Sequence, residues 1–300
     1  MPTPSADRVV GVGKAALDIL GVVPRSRETS VELAQLSIQG GGPTANMLAT
    51  LAVLGAQPVF VGRVSGDEMG QFILRSLRDI GVDVSWALVE AGGVSPVSLI
   101  SVDEQTRRRQ IHFTSGSLSP LLPAHLPAQA LNGARLVCLD GQMPGIQVEA
   151  AERARAKEIP VILDASHLAP GIGELLALCD VVIGSERFAA EIAPAGEIED
   201  SLVEIAKMGP RLVVVTMGEM GAVGLEGDKL VRQNALPVEI VDVTGAGDVF
   251  HGAFAYGVLH GWTLEKCMPF ASAAAGLKCR SLGARAGLPT LAEVMRAVEL

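Results

Sequence analysis

Aromatic side chains are scarce in this chain, because Phe, Trp and Tyr together make up 3% of its 300 residues. Aliphatic side chains must therefore build the core, and a hydrophobic fraction of 49% beside 19% charged residues supplies enough of them. This balance excludes an intrinsically disordered chain. The length suits one large α/β domain or two smaller ones, and the 34 glycines predict tight turns and close backbone approaches.

Features typical of several other protein classes are also missing. The net charge is −9 and the one basic run, residues 107–109, fits a solvated strand edge or turn, so a nucleic-acid-binding stripe is absent. No apolar run approaches the roughly 18 residues of a membrane span, and Lys14 and Asp18 interrupt the first apolar stretch, unlike a signal peptide. We therefore expect a cytoplasmic protein that binds neither membranes nor nucleic acids.

The cysteines predict reduced thiols rather than a metal or redox site. The four of them form no C-x-x-C pair, and each lies in an apolar neighbourhood. The sequence contains neither the Walker motif G-x-x-x-x-G-K-[ST] nor the zinc motif H-E-x-x-H. The histidines are scattered, and each taken alone is more often a structural residue.

Short aliphatic runs alternate with helical patterns along most of the chain. Strands are predicted at Arg8–Val12, Pro58–Val61, Leu136–Leu139, Val161–Asp164, Val181–Ile183 and Leu212–Thr216. Helices are predicted at Thr44–Leu54, Met69–Ile80, Gln147–Lys157, Ser201–Lys207, Val249–His260 and Leu264–Cys279. This alternation predicts an α/β fold with a central, mostly parallel sheet flanked by helices.

Residues 14–40 and 92–115 interrupt this rhythm. Val94–Val102 and Gln110–Thr114 read as strands, and Leu33–Ile38 alternates weakly. We predict that these two segments form a small β lid, and that residues 1–13, 41–91 and 116–300 form the α/β nucleotide- and substrate-binding core. Exposed lid strands would be covered if two lids paired, so we expect a homodimer through the lid.

The strongest chemical signal is D-V-T-G-A-G-D at residues 242–248, followed by an apolar helical pattern. Glycines 245 and 247 free backbone N–H groups to converge on the positive end of a helix, which makes an anion hole. Asp248 beside that hole can take a proton from a hydroxyl as a phosphoryl group arrives. An ordinary glycine-rich turn, with Asp248 favoured in the first helical turn, explains the motif equally well.

Three weaker signals suggest ligand-binding loops. The run of glycines at 40–42 precedes a helix that presents Asn46, whose amide suits a polyhydroxylated ligand. Asp18 can accept two sugar hydroxyls, and the strand ending at Thr216 exposes backbone at the sheet edge where α/β proteins bind ligands. The competing interpretations are a plain turn for the glycine run and a loop aspartate for Asp18. A separate motif, G-x-G-x-x-A at residues 11–16, competes as a dinucleotide-binding fingerprint.

The pair of signatures GG-x-x-x-N at 41–46 and D-x-x-G-A-G-D at 242–248 resembles the PfkB or ribokinase family of carbohydrate kinases. The similarity runs over nearly the whole chain. Residues 245–253, 275–279 and 283–287 are most similar to the sulfofructose kinase and ketohexokinase branch, although Ser30 and Gln142 stand where sulfofructose kinases have sulfonate-binding Lys and Arg. The resemblance implies a ribokinase-like fold and an ATP- and Mg²⁺-dependent kinase of a small sugar.

The resemblance also implies residue roles. Asp248 would be the general base, and the amides of Gly245, Ala246 and Gly247 would hold the transferring phosphoryl group. The residues implied in sugar binding are Asp18, Gly41, Gly42, Asn46 and Asp140, the last as either a sugar or a metal-water contact. Those implied in ATP binding are Ser185, Thr216, Gly218, Gly221 and Ser272. Asp242 and Thr244, with the backbone of 280–287, resemble the family's monovalent cation site, for which K⁺ is the expected ion.

The chain departs from the family in one motif, and two other functions stay open. Many members carry N-x-x-E after the strand that ends near Ile183, whereas this chain has Ser185 and Phe188. Either Glu186 or Glu191 compensates, or ATP and water hold the magnesium, which that ion tolerates. The alternatives are a nucleoside or vitamin kinase of the same fold and a non-catalytic sugar-sensing module. The nucleoside or vitamin kinase is disfavoured because few aromatic residues are available in the lid to stack on a base.

Overall fold

The computed structural model of this chain describes residues 7–24 and 30–299. The strands, numbered in chain order, are β1 (Arg8–Val12), β2 (Ala16–Val23), β3 (Gln35–Gly41), β4 (Gln57–Val61), β5 (Arg63–Ser65), β6 (Leu88–Glu90), β7 (Val97–Asp103), β8 (Arg109–Thr114), β9 (Leu136–Leu139), β10 (Val161–Ala165), β11 (Val181–Ser185), β12 (Leu212–Thr216), β13 (Ala222–Glu226) and β14 (Lys229–Gln233). The helices are α1 (Pro43–Val53), α2 (Glu68–Arg78), α3 (Pro144–Arg155), α4 (Ile172–Leu178), α5 (Glu186–Ile192), α6 (Ile198–Lys207), α7 (Ala246–Leu259), α8 (Leu264–Lys278) and α9 (Leu291–Val298).

The main sheet has eight strands in the order β14-β13-β12-β11-β10-β9-β1-β4. The six strands from β12 to β4 are parallel, and β13 and β14 extend the sheet as antiparallel edge strands. All six predicted strands lie in the parallel part. Their aliphatic runs are buried on both faces, which is why they read as continuous apolar stretches rather than as alternating ones.

Helices cover both faces of this sheet. One face carries a core that includes Leu48 of α1, Phe254 of α7 and Phe270 of α8. The other carries a core with Ile146 of α3 and Phe188 of α5. Alternate residues of each strand enter the two cores, so the sheet is the shared middle layer.

A second sheet has four strands in the order β3-β2-β7-β8. Its strands come from the two segments predicted to form the lid, and β2 pairs in parallel with β7 while the outer pairs are antiparallel. One face packs a small apolar cluster, including Leu20 and Ile100, against Leu282 of the main body. The predicted α/β class with a smaller sheet is confirmed, whereas the division into domains stays a proposal.

The dinucleotide interpretation of residues 11–16 is wrong. After β1 the chain enters strand β2 and not the helix that a dinucleotide site requires. The two glycines are explained by packing. A side chain at Gly11 would overlap Leu48 of α1, and one at Gly13 would overlap Thr44 and Asp140. Both glycines therefore let β1 approach its neighbours closely.

Candidate active site

A cavity of about 800 Å³ lies between the small sheet and the carboxyl ends of the parallel strands. We call it the first cavity. Parallel strands end at one edge of a sheet, so residues far apart in sequence meet there. Among the predicted site residues, its lining includes Asp18, Gly42, Asn46, Ser185, Thr216, Thr244, Gly245, Gly247 and Asp248.

A second cavity of about 430 Å³ adjoins the first, and the two share Arg109, Thr216, Val243 and Gly247. We call it the second cavity. The predicted ATP residues that line it are Thr216, Gly218, Gly221 and Ser272, together with the predicted phosphate-binding residues Ala246 and Gly247. Apolar residues such as Leu236 and Phe250 form much of the remaining wall. A slot with apolar walls and a polar, glycine-rich end suits a nucleotide whose phosphates point toward the first cavity.

The turn that begins α7 stands between the two cavities. Gly245 has φ 75°, a left-handed conformation that favours glycine, and a side chain there would also meet Ala284. Gly247 lines both cavities, and space for a ligand lies beside its Cα. The N–H of Ala246 donates to the carbonyl of Val243 at 3.2 Å. One of the three predicted anion-binding amides is therefore engaged in the turn itself.

Asp248 lies in the first turn of α7 and faces the first cavity. Its Oδ2 accepts a hydrogen bond from Asn46 Nδ2 at 2.7 Å. Burial, followed by the nearby charge of Asp164, raises the pKa of Asp248 to about 6, although the bond from Asn46 acts in the opposite direction. A carboxyl group with this pKa is mostly ionised at neutral pH and is still basic enough to accept a proton.

Asn46 is held on both sides of its amide. Its Oδ1 accepts a hydrogen bond from Arg285 Nε at 2.8 Å, and its Nδ2 donates to Asp248. One N–H of the amide remains for a ligand in the cavity that Asn46 lines. α7 and α1 can place Asp248 and Asn46 together because Gly252 has no side chain, and a Cβ there would lie 2.7 Å from the Met47 carbonyl oxygen.

Asp18 reaches the first cavity from strand β2 of the small sheet. Burial raises the pKa of Asp18, while a hydrogen bond with Ser98 lowers it. Gly41, on the neighbouring strand, leaves the space that the Asp18 carboxylate occupies. Gly42 has φ 95° and lies against the backbone of Ala15. The glycine run therefore accommodates other parts of the protein as well as shaping the cavity.

Asp140 does not line either cavity. Its Oδ2 accepts from the Lys14 N–H at 2.7 Å and from Thr44 Oγ1 at 2.9 Å. Its Oδ1 accepts from the Gln142 N–H at 3.0 Å and from Gln147 Nε2 at 2.7 Å. All the acceptor positions of this carboxylate are therefore used within the protein, which gives the predicted sugar contact no geometric support. Asp140 instead ties the turn after β1 to α1 and α3.

Two site residues, Asp164 and His251, were missed in the sequence. Asp164 Oδ1 lies 3.3 Å from His251 Nε2, and both side chains are buried at the floor of the first cavity. Burial raises the pKa of Asp164, and the His251 charge acts against this rise. His251 comes three residues after Asp248, a helical spacing that places both on one face. This spacing was the available signal, although only the fold brings Asp164 to it.

Arg109 is a third missed residue. It begins strand β8 and lines both cavities, whereas the sequence favoured a solvated edge or turn for residues 107–109 over a contact from the lid to an anionic substituent. Arg107, with φ 57°, does lie in the turn before β8. The Arg109 charge lowers the pKa of Asp248. A cation at the boundary of the two cavities is placed to meet a polyphosphate.

The departure from N-x-x-E leaves little protein ligation for magnesium. Phe188 is fully buried in the core, and Ser185 Oγ accepts the Phe188 N–H as the cap of α5 and donates to the Ser166 carbonyl. Glu191 accepts hydrogen bonds from the Leu168 N–H and from Arg187. Neither Glu186 nor Glu191 lines the first cavity. Within residues 7–24 and 30–299, no cluster of three His, Cys, Asp or Glu side chains can hold a metal ion.

The predicted monovalent cation residues are buried beside the anion hole. Asp242 Oδ1 accepts from the N–H and Oγ1 of Thr244, and its Oδ2 accepts from the Gly283 N–H at 2.8 Å. Lys278 Nζ donates to the Asp242 carbonyl oxygen at 3.0 Å. Since a carboxylate offers about four acceptor positions, one of them remains for a cation. The residues present therefore fit a cation only with the help of backbone carbonyls.

The parallel sheet with adjoining cavities at its carboxyl edge places the protein in the class of α/β proteins that bind small molecules. Residues 6–291 match the pfkB family carbohydrate kinase, and the chain belongs to this family. A ribokinase of Arabidopsis thaliana is 28% identical over 306 aligned residues, which cover 97% of this chain and 81% of the relative. The structure of Arabidopsis thaliana ribokinase complexed with ribose and ATP is 26% identical and superposes with a TM-score of 0.85, covering 98% of this chain and 99% of that one.

Other relatives phosphorylate different substrates, according to their names. A nucleoside kinase of Methanothermobacter thermautotrophicus is 26% identical over 300 residues, covering 97% of this chain and 96% of the relative. A ketohexokinase of Mus musculus is 25% identical over 285 residues, covering 91% and 96% respectively. The family prediction is confirmed. The ketohexokinase is less similar than the ribokinase at 28% identity, so the predicted branch within the family stays a prediction. In the part of the chain that the structure describes, no helix combines the length and apolarity needed to cross a bilayer.

Proposed function

We propose that this protein transfers the γ-phosphate of ATP to a hydroxyl of a small carbohydrate, with Asp248 as the general base. The observation that carries the proposal is the position of Asp248. It stands in the first turn of α7 and lines the first cavity, one residue after Gly247, which lines both cavities, and its pKa is about 6. A phosphoryl group that passes between the cavities would meet an acceptor hydroxyl beside this carboxylate.

In this mechanism Asp248 Oδ accepts the proton of the attacking hydroxyl as that oxygen bonds to the γ-phosphorus, while the bond from the γ-phosphorus to the β–γ bridging oxygen breaks and ADP leaves. The positive end of α7 and the amides around Gly245 and Gly247 would stabilise charge on the transferring group. Arg109 would neutralise negative charge from the lid side. Asp18 and the free N–H of Asn46 would orient the sugar by binding its other hydroxyls.

The small sheet would act as a lid that keeps water from the phosphoryl group. Strand β8 presents Ile111 and Phe113 to the first cavity, and 76% of the Phe113 surface is exposed. Such an apolar residue at an open cavity would be covered if the lid closed over a bound sugar. Closure would favour transfer to the sugar over hydrolysis of ATP.

Two ions belong to this proposal. Mg²⁺ would be held mainly by the ATP phosphates and water, because the chain offers few ligands, and when bound it neutralises phosphate charge. K⁺ would sit at Asp242, Thr244 and the carbonyls of 280–287, where it would order the anion hole without taking part in the chemistry. Activity measured in potassium and in sodium buffers tests the second ion.

A homodimer through the lid is also part of the proposal. The outer face of the small sheet exposes Leu36, Ile38 and Leu99, with 59%, 50% and 53% of their surfaces accessible. Ile38 and Leu99 both neighbour Ile19 across the sheet, so these side chains form one patch. Contiguous apolar patches of this kind mark interaction surfaces, and a second copy of the lid is the occupant we propose.

A nucleoside kinase is the second candidate function. A side cavity of about 440 Å³ shares Lys14, Pro96 and Gln142 with the first cavity, and its wall includes Leu118 and Leu121. An apolar extension beside a sugar site suits a base attached to that sugar, and the nucleoside kinase relative supports this alternative. The missing N-x-x-E is the feature that favours a non-catalytic sugar sensor.

The decisive experiment measures ADP formation from ATP and Mg²⁺ across a panel of free sugars, sugar phosphates, sugar acids and nucleosides. We expect at least one sugar to be phosphorylated by the native protein and not by Asp248→Asn. Turnover of nucleosides alone would replace the first proposal by the second. Tight sugar binding without any turnover would establish the sensor instead.

A further inference from the structure

Arg285 is a buried cation that sequence reasoning did not assign to the site. It follows α8, in the segment before α9, and only 8% of its surface is exposed. Its guanidinium donates three hydrogen bonds to three different parts of the chain. Nε donates to Asn46 Oδ1 at 2.8 Å, Nη1 donates to Ser76 Oγ at 2.9 Å, and Nη2 donates to the Gly41 carbonyl oxygen at 3.1 Å.

The surrounding backbone is shaped to fit this side chain. A side chain at Gly40 would overlap the guanidinium and Ser76. Gln39 Oε1 accepts the N–H groups of Arg285 and Ala286 at 3.1 and 3.2 Å, which holds the segment in place. Gly283 leaves the room that the Gln39 amide needs. The position of Arg285 is therefore determined by several independent contacts.

A guanidinium only donates hydrogen bonds, and this property decides how Asn46 is oriented. Arg285 Nε must meet the oxygen of the Asn46 amide, because the nitrogen end carries donors of its own. The amide nitrogen then faces Asp248 Oδ2 at 2.7 Å. If the amide turned over, its oxygen would face the Asp248 carboxylate, and two acceptors would repel each other.

We propose that Arg285 is a positioning residue, which fixes the orientation of the Asn46 amide so that an N–H group, and not the carbonyl oxygen, faces Asp248. This inference rests on the proposed role of Asp248 as the base. Charge supports it as well: burial lowers the pKa of Arg285, the charges of Asp18 and Asp248 act against this, and the resulting pKa is about 10. The guanidinium thus stays charged at neutral pH.

The inference predicts a specific kinetic effect of removing the guanidinium. Arg285→Met keeps an apolar stem and removes the donor that holds the Asn46 oxygen, so that Asp248 alone then restrains the amide. Turnover then falls about 10- to 100-fold, as expected for a lost hydrogen bond to a charged group. The KM for ATP stays within about threefold, because Arg285 does not line the second cavity.

The test is a double-mutant cycle on kcat with Arg285→Met, Asn46→Ala and the double variant. If Arg285 acts through Asn46, Arg285→Met costs less than about threefold in the Asn46→Ala background. Ser76→Ala is the matched control, because it removes a different partner of the same guanidinium, and we expect it to retain turnover within about threefold. Thermal unfolding of each variant reports folding, and Arg285→Lys replaces Arg285→Met in the cycle if the latter fails to fold.

Equal losses from Arg285→Met in the two backgrounds would overturn the positioning role and make Arg285 a structural residue. A loss from Ser76→Ala as large as that from Arg285→Met would do the same. The kcat of Asp248→Asn, measured alongside, distinguishes a failure of the positioning role of Arg285 from a failure of the proposed function. If Asp248→Asn keeps native turnover, both the base assignment and the positioning role fail, whereas an inactive Asp248→Asn with an additive cycle rejects only the latter.

Discussion

Acidification of the assay tests the electrostatics of Asp248 directly. Burial and the charge of Asp164 raise the pKa of Asp248 to about 6 from an ordinary 3.8. The general base must be ionised, so its active fraction is about 0.9 at pH 7 and about 0.1 at pH 5. We therefore expect kcat/KM to fall about tenfold between these pH values. An ordinary carboxyl group would remain more than about 90% ionised at pH 5.

The assay is the initial rate of ADP formation at low sugar concentration and saturating MgATP, because the pH dependence of kcat/KM reports groups of the unliganded sugar site. Asp164→Asn removes the nearby negative charge and should move the acid limb to lower pH, toward the ordinary carboxyl range. Glu174→Gln, which removes an exposed carboxylate from α4, is the matched control and should leave the limb unchanged.

Two results would refute this reasoning. A native profile that stays flat down to pH 5 would show that Asp248 is not the titrating base or that burial does not raise its pKa. An acid limb that Asp164→Asn leaves in place would show that the two carboxylates do not interact. The fold should survive in both cases, and circular dichroism at each pH separates loss of activity from unfolding.

Three further predictions follow from the same geometry. Asp248→Asn should lower kcat by at least about 10²-fold. Because the pKa of Asp248 is raised in the folded state, its charge opposes folding above about pH 4, so the variant should be more stable than the native protein at pH 7, by up to about 3 kcal/mol in the free energy of unfolding, and this difference should vanish near pH 4. An unchanged melting temperature at pH 7 would contradict the raised pKa. Arg109→Met should raise the KM for ATP more than the KM for the sugar, and equal changes would remove Arg109 from the phosphate path. Leu99→Glu should make the protein monomeric, as measured by analytical ultracentrifugation, whereas the control Glu174→Gln should remain a dimer. An unchanged mass of Leu99→Glu would reject the lid interface.

Much of the fold was predictable because its strands carry a local signature. Runs such as Val181–Ile183 are apolar at every position, since helices cover both faces of the sheet, and this burial leaves its mark within a few residues. The turn at 242–248 was predictable for a related reason. A left-handed residue at 245 and a helix that begins at 246 both need particular residue types close together in the chain.

The partners of the site side chains left no such local mark. Asn46 and Arg285 lie 239 residues apart, so neither position indicates that it orients the other. Asp140 looked like a ligand contact because it ends a strand at the correct edge, but four donors consume its oxygens, and two of them, on Lys14 and Thr44, come from distant segments. A carboxylate binds a ligand only if the protein leaves its acceptor positions free, and that is decided by which groups the fold packs against it.

The sequence alone determined the layered α/β class, the positions of the six parallel strands, the family and the two glycine-rich loops, because each depends on residues that are neighbours in the chain. The tertiary structure alone decided which polar groups remain available at the cavities and which are bonded to other side chains. It also decided that Arg109 reaches both cavities and that Asp164 meets His251. Hydrogen bonds and charges act over a few ångströms in space, and only the fold brings these groups within that distance.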